Sequence, residues 1–224
     1  EYLEIYNASN KILSLGGIAL SDLRGSTTLP EKSIHPGAYA ILTPFSATSL
    51  MSPYGEVLGI NNWITLNASG DYLNLSLDGN LVFEVFYTDE WYRSTQRSNG
   101  GFSLEIIDRN YPCYEAMNWI ASENIIGGTP GKVNSVDDNN PDIVGPALTE
   151  AIAISDNQIL LTFDEKLSTA NIDLRNFKIS PVLNINNVTI EAAKKSLILS
   201  TDLLQENTVY SIHSDNLSDC SGNL

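Results

Sequence analysis

The chain has 224 residues, 12 basic and 27 acidic, and a net charge of −15 at pH 7. That length suits one large domain or two small ones with separate cores, and 42% hydrophobic against 17% charged residues excludes global disorder. No apolar run approaches the roughly 20 residues of a membrane-spanning helix. Through Val136 there are seven basic against fourteen acidic residues, and after it five against thirteen. A surface this acidic repels phosphate backbones, so nucleic acid is excluded as the expected direct ligand.

In chain order, apolar alternation predicts strands at Tyr2–Tyr6, Ile18–Ser21 and Ala38–Leu42. Trp63 follows in an Asn-bracketed segment, GINNWITLNASGD; it is the best candidate for an exposed aromatic, although partly buried packing is the stronger expectation. The clearest hairpin is DYLNLSL-DGN-LVFEVFY: Leu73, Leu75 and Leu77 share a face, Asp78-Gly79 suits a turn with positive φ, and Leu81–Tyr87 returns. Asp89-Glu90-Trp91-Tyr92 reads as the end of that strand. Phe102–Ile107 is the next strand, Tyr114–Ser122 allows one short helical turn, and Trp119 is expected in the core.

SVDDNNPD at Ser135–Asp142 is polar, acidic and proline-containing, and predicts a linker. Beyond it, PALTEAIAIS, NQILLTFDEKLS, NFKIS and SLILSTDLLQENTVYSIH form a second strand series, closed by NLSDCSGN. Recurrent short strands with turn signals predict an all-β chain.

Several of these segments together resemble a known family. GFSLEIIDR at Gly101–Arg109, NW at Asn118–Trp119 and GGTPGKVN at Gly127–Asn134 resemble the end of a lamin-tail domain, an immunoglobulin-like β-sandwich. EYLEIYNAS, LGGIALSD and IHPGAYAILT fit the same family, so the resemblance spans roughly Glu1–Val136. Such domains usually carry one more strand ahead of the first seen here, which implies a start inside a longer protein. In the second half, the order of LLTFDEKL at Leu160–Leu167, ENTVYSI at Glu206–Ile212 and DCSGN at Asp219–Asn223 resembles bacterial Ig-like domains. The fold class implied is two tandem immunoglobulin-like β-sandwiches: 1–136 lamin-tail-like, 137–145 acidic linker and 146–224 bacterial Ig-like.

Local chemistry is sparse. His35 sits before a Pro-Gly turn and His213 ends a strand, and neither neighbours a nucleophile motif. GGTPGKV shares glycines and lysine with a phosphate-binding loop, but the spacing is one residue short and Val133 stands where a Ser/Thr would hold Mg²⁺. Asp89 and Glu90, adjacent on a predicted strand, point to opposite faces and cannot flank a glycosidic bond. No catalytic residue and no cofactor are expected. Trp63, Trp91 and Tyr92 are the candidates for ligand contact. Asp137, Asp138 and Asp142 form a weak Ca²⁺ candidate set, since hard oxygens crowd there. Cys113 and Cys220 lie far apart in no C-x-x-C pattern, and two free buried thiols are the default.

The reading is a non-enzymatic module pair acting as a spacer or a protein-binding or adhesive unit. The resemblance implies a secreted or cell-surface protein, outer-membrane-associated or periplasmic, of a Gram-negative bacterium. Its expected partner is a protein or a cell-surface glycan, and a lipid anchor on the full-length protein fits that setting. Two rivals stand beside it: an accessory region of a larger secreted hydrolase or nuclease, and a carbohydrate-binding module.

Overall fold

The computed structural model describes residues 1–113, 115–191 and 194–224. Strands make up 38% of the chain and helix 13%, in several sheets with no barrel. Two compact units result, Glu1–Asn140 and Pro141–Leu224. Their boundary falls inside the segment read as linker. The amides of Asp137 and Asp138 donate to the Asn134 and Ile107 carbonyls, and Asn140 Nδ2 donates to Asn118 Oδ1. Residues 137–140 are therefore bonded into the first unit.

The first unit contains β1 (Leu3–Tyr6), β2 (Leu13–Ser14), β3 (Ala19–Ser21), β4 (Ser26–Thr28), β5 (Ser33–Ile34), β6 (Tyr39–Pro44), β7 (Val57–Ile60), β8 (Gly70–Leu77), β9 (Asn80–Thr88), β10 (Leu104–Ile106) and β11 (Trp119–Ala121). A four-stranded sheet runs β4-β3-β8-β9 and a three-stranded one β1-β6-β7, with β2-β5 and β10-β11 as pairs. Alternation decides which side chains meet. Leu20 and Leu73 from the four-stranded sheet share one core with Ala40, Leu42, Leu58 and Ile60 from the three-stranded one.

The hairpin forms as its sequence dictates. Asp78 and Gly79 have φ of 49° and 79°, the double positive that a two-residue turn between right-twisted strands requires. Leu73 is buried and Leu75 packs on the core, yet Leu77 is 40% exposed. The register shifts between Leu75 and Ser76 because Val82 is an extra residue on β9, and Leu77 stands next to the turn at the end of the hairpin.

The second unit contains β12 (Leu148–Ser155), β13 (Gln158–Phe163), β14 (Phe177–Ser180), β15 (Ile185–Ile190), β16 (Ser196–Thr201) and β17 (Ser211–Ser214). Its sheets are β12-β13-β16-β15 and β14-β17, all antiparallel. Ile159, Leu161, Phe163, Leu197 and Leu199 face Phe177 and Ile179 in a second core.

The one short helical turn expected within Tyr114–Ser122 is present at Glu115–Asn118, after which β11 begins; Tyr114 lies outside the described residues. Two expectations need correction. Asp89–Tyr92 is a 3₁₀ turn rather than a strand end, closed by Arg93, whose φ is 50° and whose amide donates to the Glu90 carbonyl. Neither cysteine is a free buried thiol. Cys113 and Cys220 are both disulfide-bonded and sit in surface turns, with Cys220 exposed.

Candidate functional site

A cleft of about 660 Å³ opens in the first unit, lined by residues of both β1 and β10. Each of these strands is a sheet edge: among the described residues, β1 pairs only with β6, and β10 only with β11. The Ile41 amide donates to Glu56 on the β7 side. Glu4, opposite Ile41 in the antiparallel register, therefore directs its own N–H and C=O away from β6, and alternation gives Tyr6 the same orientation. Part of the β10 edge is already capped, because Asn134 Nδ2 donates to the Ile106 carbonyl at 2.8 Å.

Two glutamates, one from each edge strand, tie the cleft to the 127–135 segment. Glu105 is only 4% exposed. Its Oε1 accepts from the Thr129 hydroxyl at 2.7 Å, and its Oε2 from the Ser135 amide at 2.8 Å and hydroxyl at 2.7 Å. Both oxygens are thus committed to holding the chain. Glu4 Oε2 accepts from the Gly131 amide at 2.5 Å. Gly131 has φ 74°, and a Cβ there would meet the Tyr54 carbonyl, so only glycine allows this approach. Burial, opposed by the Gly131 bond and assisted by the Glu105 charge, pushes the Glu4 carboxyl up to about 7.

The remaining lining is aromatic and polar. Burial raises the Tyr2, Tyr87 and Tyr92 hydroxyls, which keeps them neutral hydrogen-bonding groups. The Trp119 indole N–H is buried without an acceptor among the described residues. Arg109 lies 4.6 Å from the Tyr6 ring centroid, donates to the Tyr39 hydroxyl at 3.1 Å and pairs with Asp137 at 3.2 Å.

The residues singled out from the sequence scatter. Tyr92 lines the cleft and donates to the Phe102 carbonyl at 3.3 Å. Trp91 is 8% exposed and packs on Trp119, ring centroids 6.4 Å apart. Trp63 is half-buried against the core, and its indole donates to Glu1 Oε2 at 2.9 Å. Asp137 and Asp138 belong to the first unit and Asp142 to the second. Asp137 is engaged by Arg109, and Asp138 Oδ1 accepts from the Asn139 amide. Asp142 instead joins Glu165 and Asp219, with one carboxylate oxygen from each lying within 4.8 Å of the others.

That triad could hold a metal ion, and the local fold explains its assembly. Glu165 follows β13, and Asp219 forms an isolated bridge with Leu167 while the Ser168 amide donates to Ser218. Burial first, then the Asp142, Asp219 and Asp164 charges, push the Glu165 carboxyl up to about 7 against the opposing effect of Lys195. Asp142 is raised by burial and by the adjacent Asp219 carboxylate, against the Ser221 hydrogen bond. Glu165 and Asp219 carried no signal in local spacing, because the three acids come from separate parts of the chain. Compared with known proteins, the chain matches no family model and no curated protein.

Proposed function

We propose that the chain is a non-catalytic, protein-binding module pair of a secreted or cell-surface bacterial protein, built as two tandem immunoglobulin-like sandwiches, and that its first unit captures an extended polypeptide segment. One observation carries this reading: the cleft is lined by two strand edges, each lacking a second neighbour among the described residues. An added strand would bond to the outward N–H and C=O groups of Glu4 and Tyr6, while alternate side chains enter the cleft. The volume falls within the usual range for binding clefts. The strand content and the order of the family-like segments support the sandwich assignment, and the extracellular Gram-negative setting rests on that resemblance alone.

A hydrolytic role for the Glu4 and Glu105 pair is disfavoured, because Glu105 has both oxygens bonded to Thr129 and Ser135. The accessory-region rival leaves this binding role intact and differs only in what lies beside it. The carbohydrate rival has one observation in its favour, the tyrosines lining the cleft. Hydrogen exchange on the chain with binders selected from a nine-residue peptide library tests the proposal. Slowed exchange at Glu4 and Tyr6, abolished by N-methylation of alternate peptide amides, is the expected result. Protection elsewhere, or glycan-array binding that leaves those two amides unprotected, would replace strand capture with another mode.

A further inference from the structure

We propose that the second unit binds a single Ca²⁺ ion through Asp142, Glu165 and Asp219. Three carboxylates close together do not make a site on their own, since acidic clusters are common on a chain of net charge −15. The decisive feature is Asp142. It is 4% exposed, its Oδ2 accepts from the Ser221 hydroxyl at 2.9 Å, and its Oδ1 is buried with no hydrogen-bond donor among the described residues. A buried carboxylate oxygen without a donor is costly. The Ser221 hydroxyl and the Val144 amide serve this carboxyl group as donors, yet neither bonds to Oδ1, and nearby Glu165 and Asp219 add further carboxylate oxygens. A cation satisfies all of them at once.

The surroundings are built to hold these oxygens still. Asp219 is 1% exposed; its Oδ1 accepts from the Gly222 and Asn223 amides at 2.6 and 2.8 Å, and its Oδ2 from Asn223 Nδ2 at 2.8 Å. The same Asn223 amide donates to the Asp142 carbonyl at 3.1 Å, which links the two aspartates through one side chain. Asp219 Oδ1 spends both lone pairs on the Gly222 and Asn223 amides, while Asp219 Oδ2 and both Asp142 oxygens keep a lone pair for an ion. Glu165 is the half-buried member and leaves a side open to water.

Size and hardness select the ion. Oxygen ligands sit about 2.3–2.6 Å from Ca²⁺ and so lie up to about 5 Å apart across it, whereas Mg²⁺ at about 2.0–2.1 Å draws its ligands to about 4.2 Å or less. The three oxygens all lie within 4.8 Å of one another, inside the Ca²⁺ span, and Mg²⁺ gives up its water too reluctantly to favour a three-carboxylate shell. Three carboxylates leave the remaining three to five positions of a Ca²⁺ shell to water and carbonyl oxygens. The all-oxygen set disfavours Zn²⁺ and Cu²⁺, which prefer imidazole and thiolate.

Calorimetric titration of CaCl₂ into the chelator-treated chain tests the proposal, with MgCl₂ as comparison and thermal unfolding as a second readout. The expected result is one Ca²⁺ per chain with Kd of about 10⁻⁴–10⁻³ M or tighter, weaker Mg²⁺ binding, and a Ca²⁺-dependent rise in Tm. Glu165→Gln, at the half-buried position, should fold normally without Ca²⁺, with Tm equal to or above that of the parent because one repelling charge is gone. It should also bind Ca²⁺ at least tenfold more weakly. Asp137→Asn with Asp138→Asn should leave the titration unchanged. Absence of binding at 10 mM CaCl₂, on the order of tenfold above the weak end of that range, would overturn the proposal. So would equal affinity in Glu165→Gln, which would assign the ion to the general acidic surface, or Mg²⁺ binding as tight as Ca²⁺.

Discussion

Glu4 shows how one side chain can report on the cleft. Its carboxyl is held at about 7 in the folded chain against an ordinary 4.5. Below about pH 4.5 it is protonated in folded and unfolded states alike, and its contribution to stability is complete. Between those values the folded state alone keeps the proton, so unfolding free energy falls as pH rises and the contribution is lost once pH passes 7. Linkage sets an upper bound of about 3 kcal/mol, and the partial exposure of the group reduces the measurable part to about 1 kcal/mol. Urea unfolding of the first unit should therefore be shallower in pH for Glu4→Gln than for the parent by that amount between pH 5 and 8. Identical slopes would show that Glu4 titrates like a solvent-exposed glutamate. Its neighbour Glu105 shows how a residue type alone misleads. A buried acid in a cleft suggests chemistry until its bonds to Thr129 and Ser135 show that it fastens a loop.

Among the elements, two glycines separate local conformation from tertiary approach. Gly79 has φ 79° with nothing near its missing Cβ, so Gly79→Ala should cost only the left-handed penalty, about 1 kcal/mol. Gly131 has a similar φ, but its Cβ would strike the Tyr54 backbone carbonyl. Gly131→Ala should cost about 3 kcal/mol or more, and should also loosen the Glu4 bond; equal losses for the two variants in thermal unfolding would contradict the packing at Gly131. The contrast also marks what the sequence made legible. The β8–β9 hairpin was readable because Asp78-Gly79 and the flanking alternation are local signals, and the same holds for β1, β3, β6, β10 and β13. Short pairs such as β2-β5, and β15 with INNVTI, give too few alternating apolar residues to stand out. The 3₁₀ turn at Asp89–Tyr92 was missed because Trp91 is drawn into contact with Trp119, a tertiary cause that overrides strand propensity. Of the residues at the two candidate sites, local sequence singles out only Tyr92 and Asp142. The edge pair β1 and β10 and the acids Glu165 and Asp219 are brought to their sites by topology, so spacing could not reveal them.

At the scale of the whole chain, each unit carries its own core, one around Leu42 and Leu73 and the other around Leu161 and Leu199. Residues 141–224, with Cys220→Ser to remove the thiol, should therefore unfold cooperatively by themselves, and a broad, non-cooperative urea transition would contradict an autonomous second core. Charge supplies the last expectation, because a resemblance to lamin tails invites a guess of DNA binding that needs a basic face. The first unit has seven basic residues against twice as many acids through Val136, and its most basic positions are already engaged. Arg93 donates to the Ala116 carbonyl at 2.6 Å, Arg97 lies over the Phe102 ring at 5.4 Å, and Arg109 is shared among Asp137, Tyr39 and the Tyr6 ring. Affinity for DNA comes largely from counterions released as Lys and Arg neutralise phosphates, and guanidiniums held in internal contacts release few. Binding should be no tighter than about 10⁻⁴ M at physiological salt, the weak end of ordinary non-specific association. A fluorescence titration at that salt with duplex DNA should stay flat through the micromolar range. Micromolar or tighter binding would mean that these arginines rearrange toward the duplex, and would undercut a role confined to protein recognition at a surface.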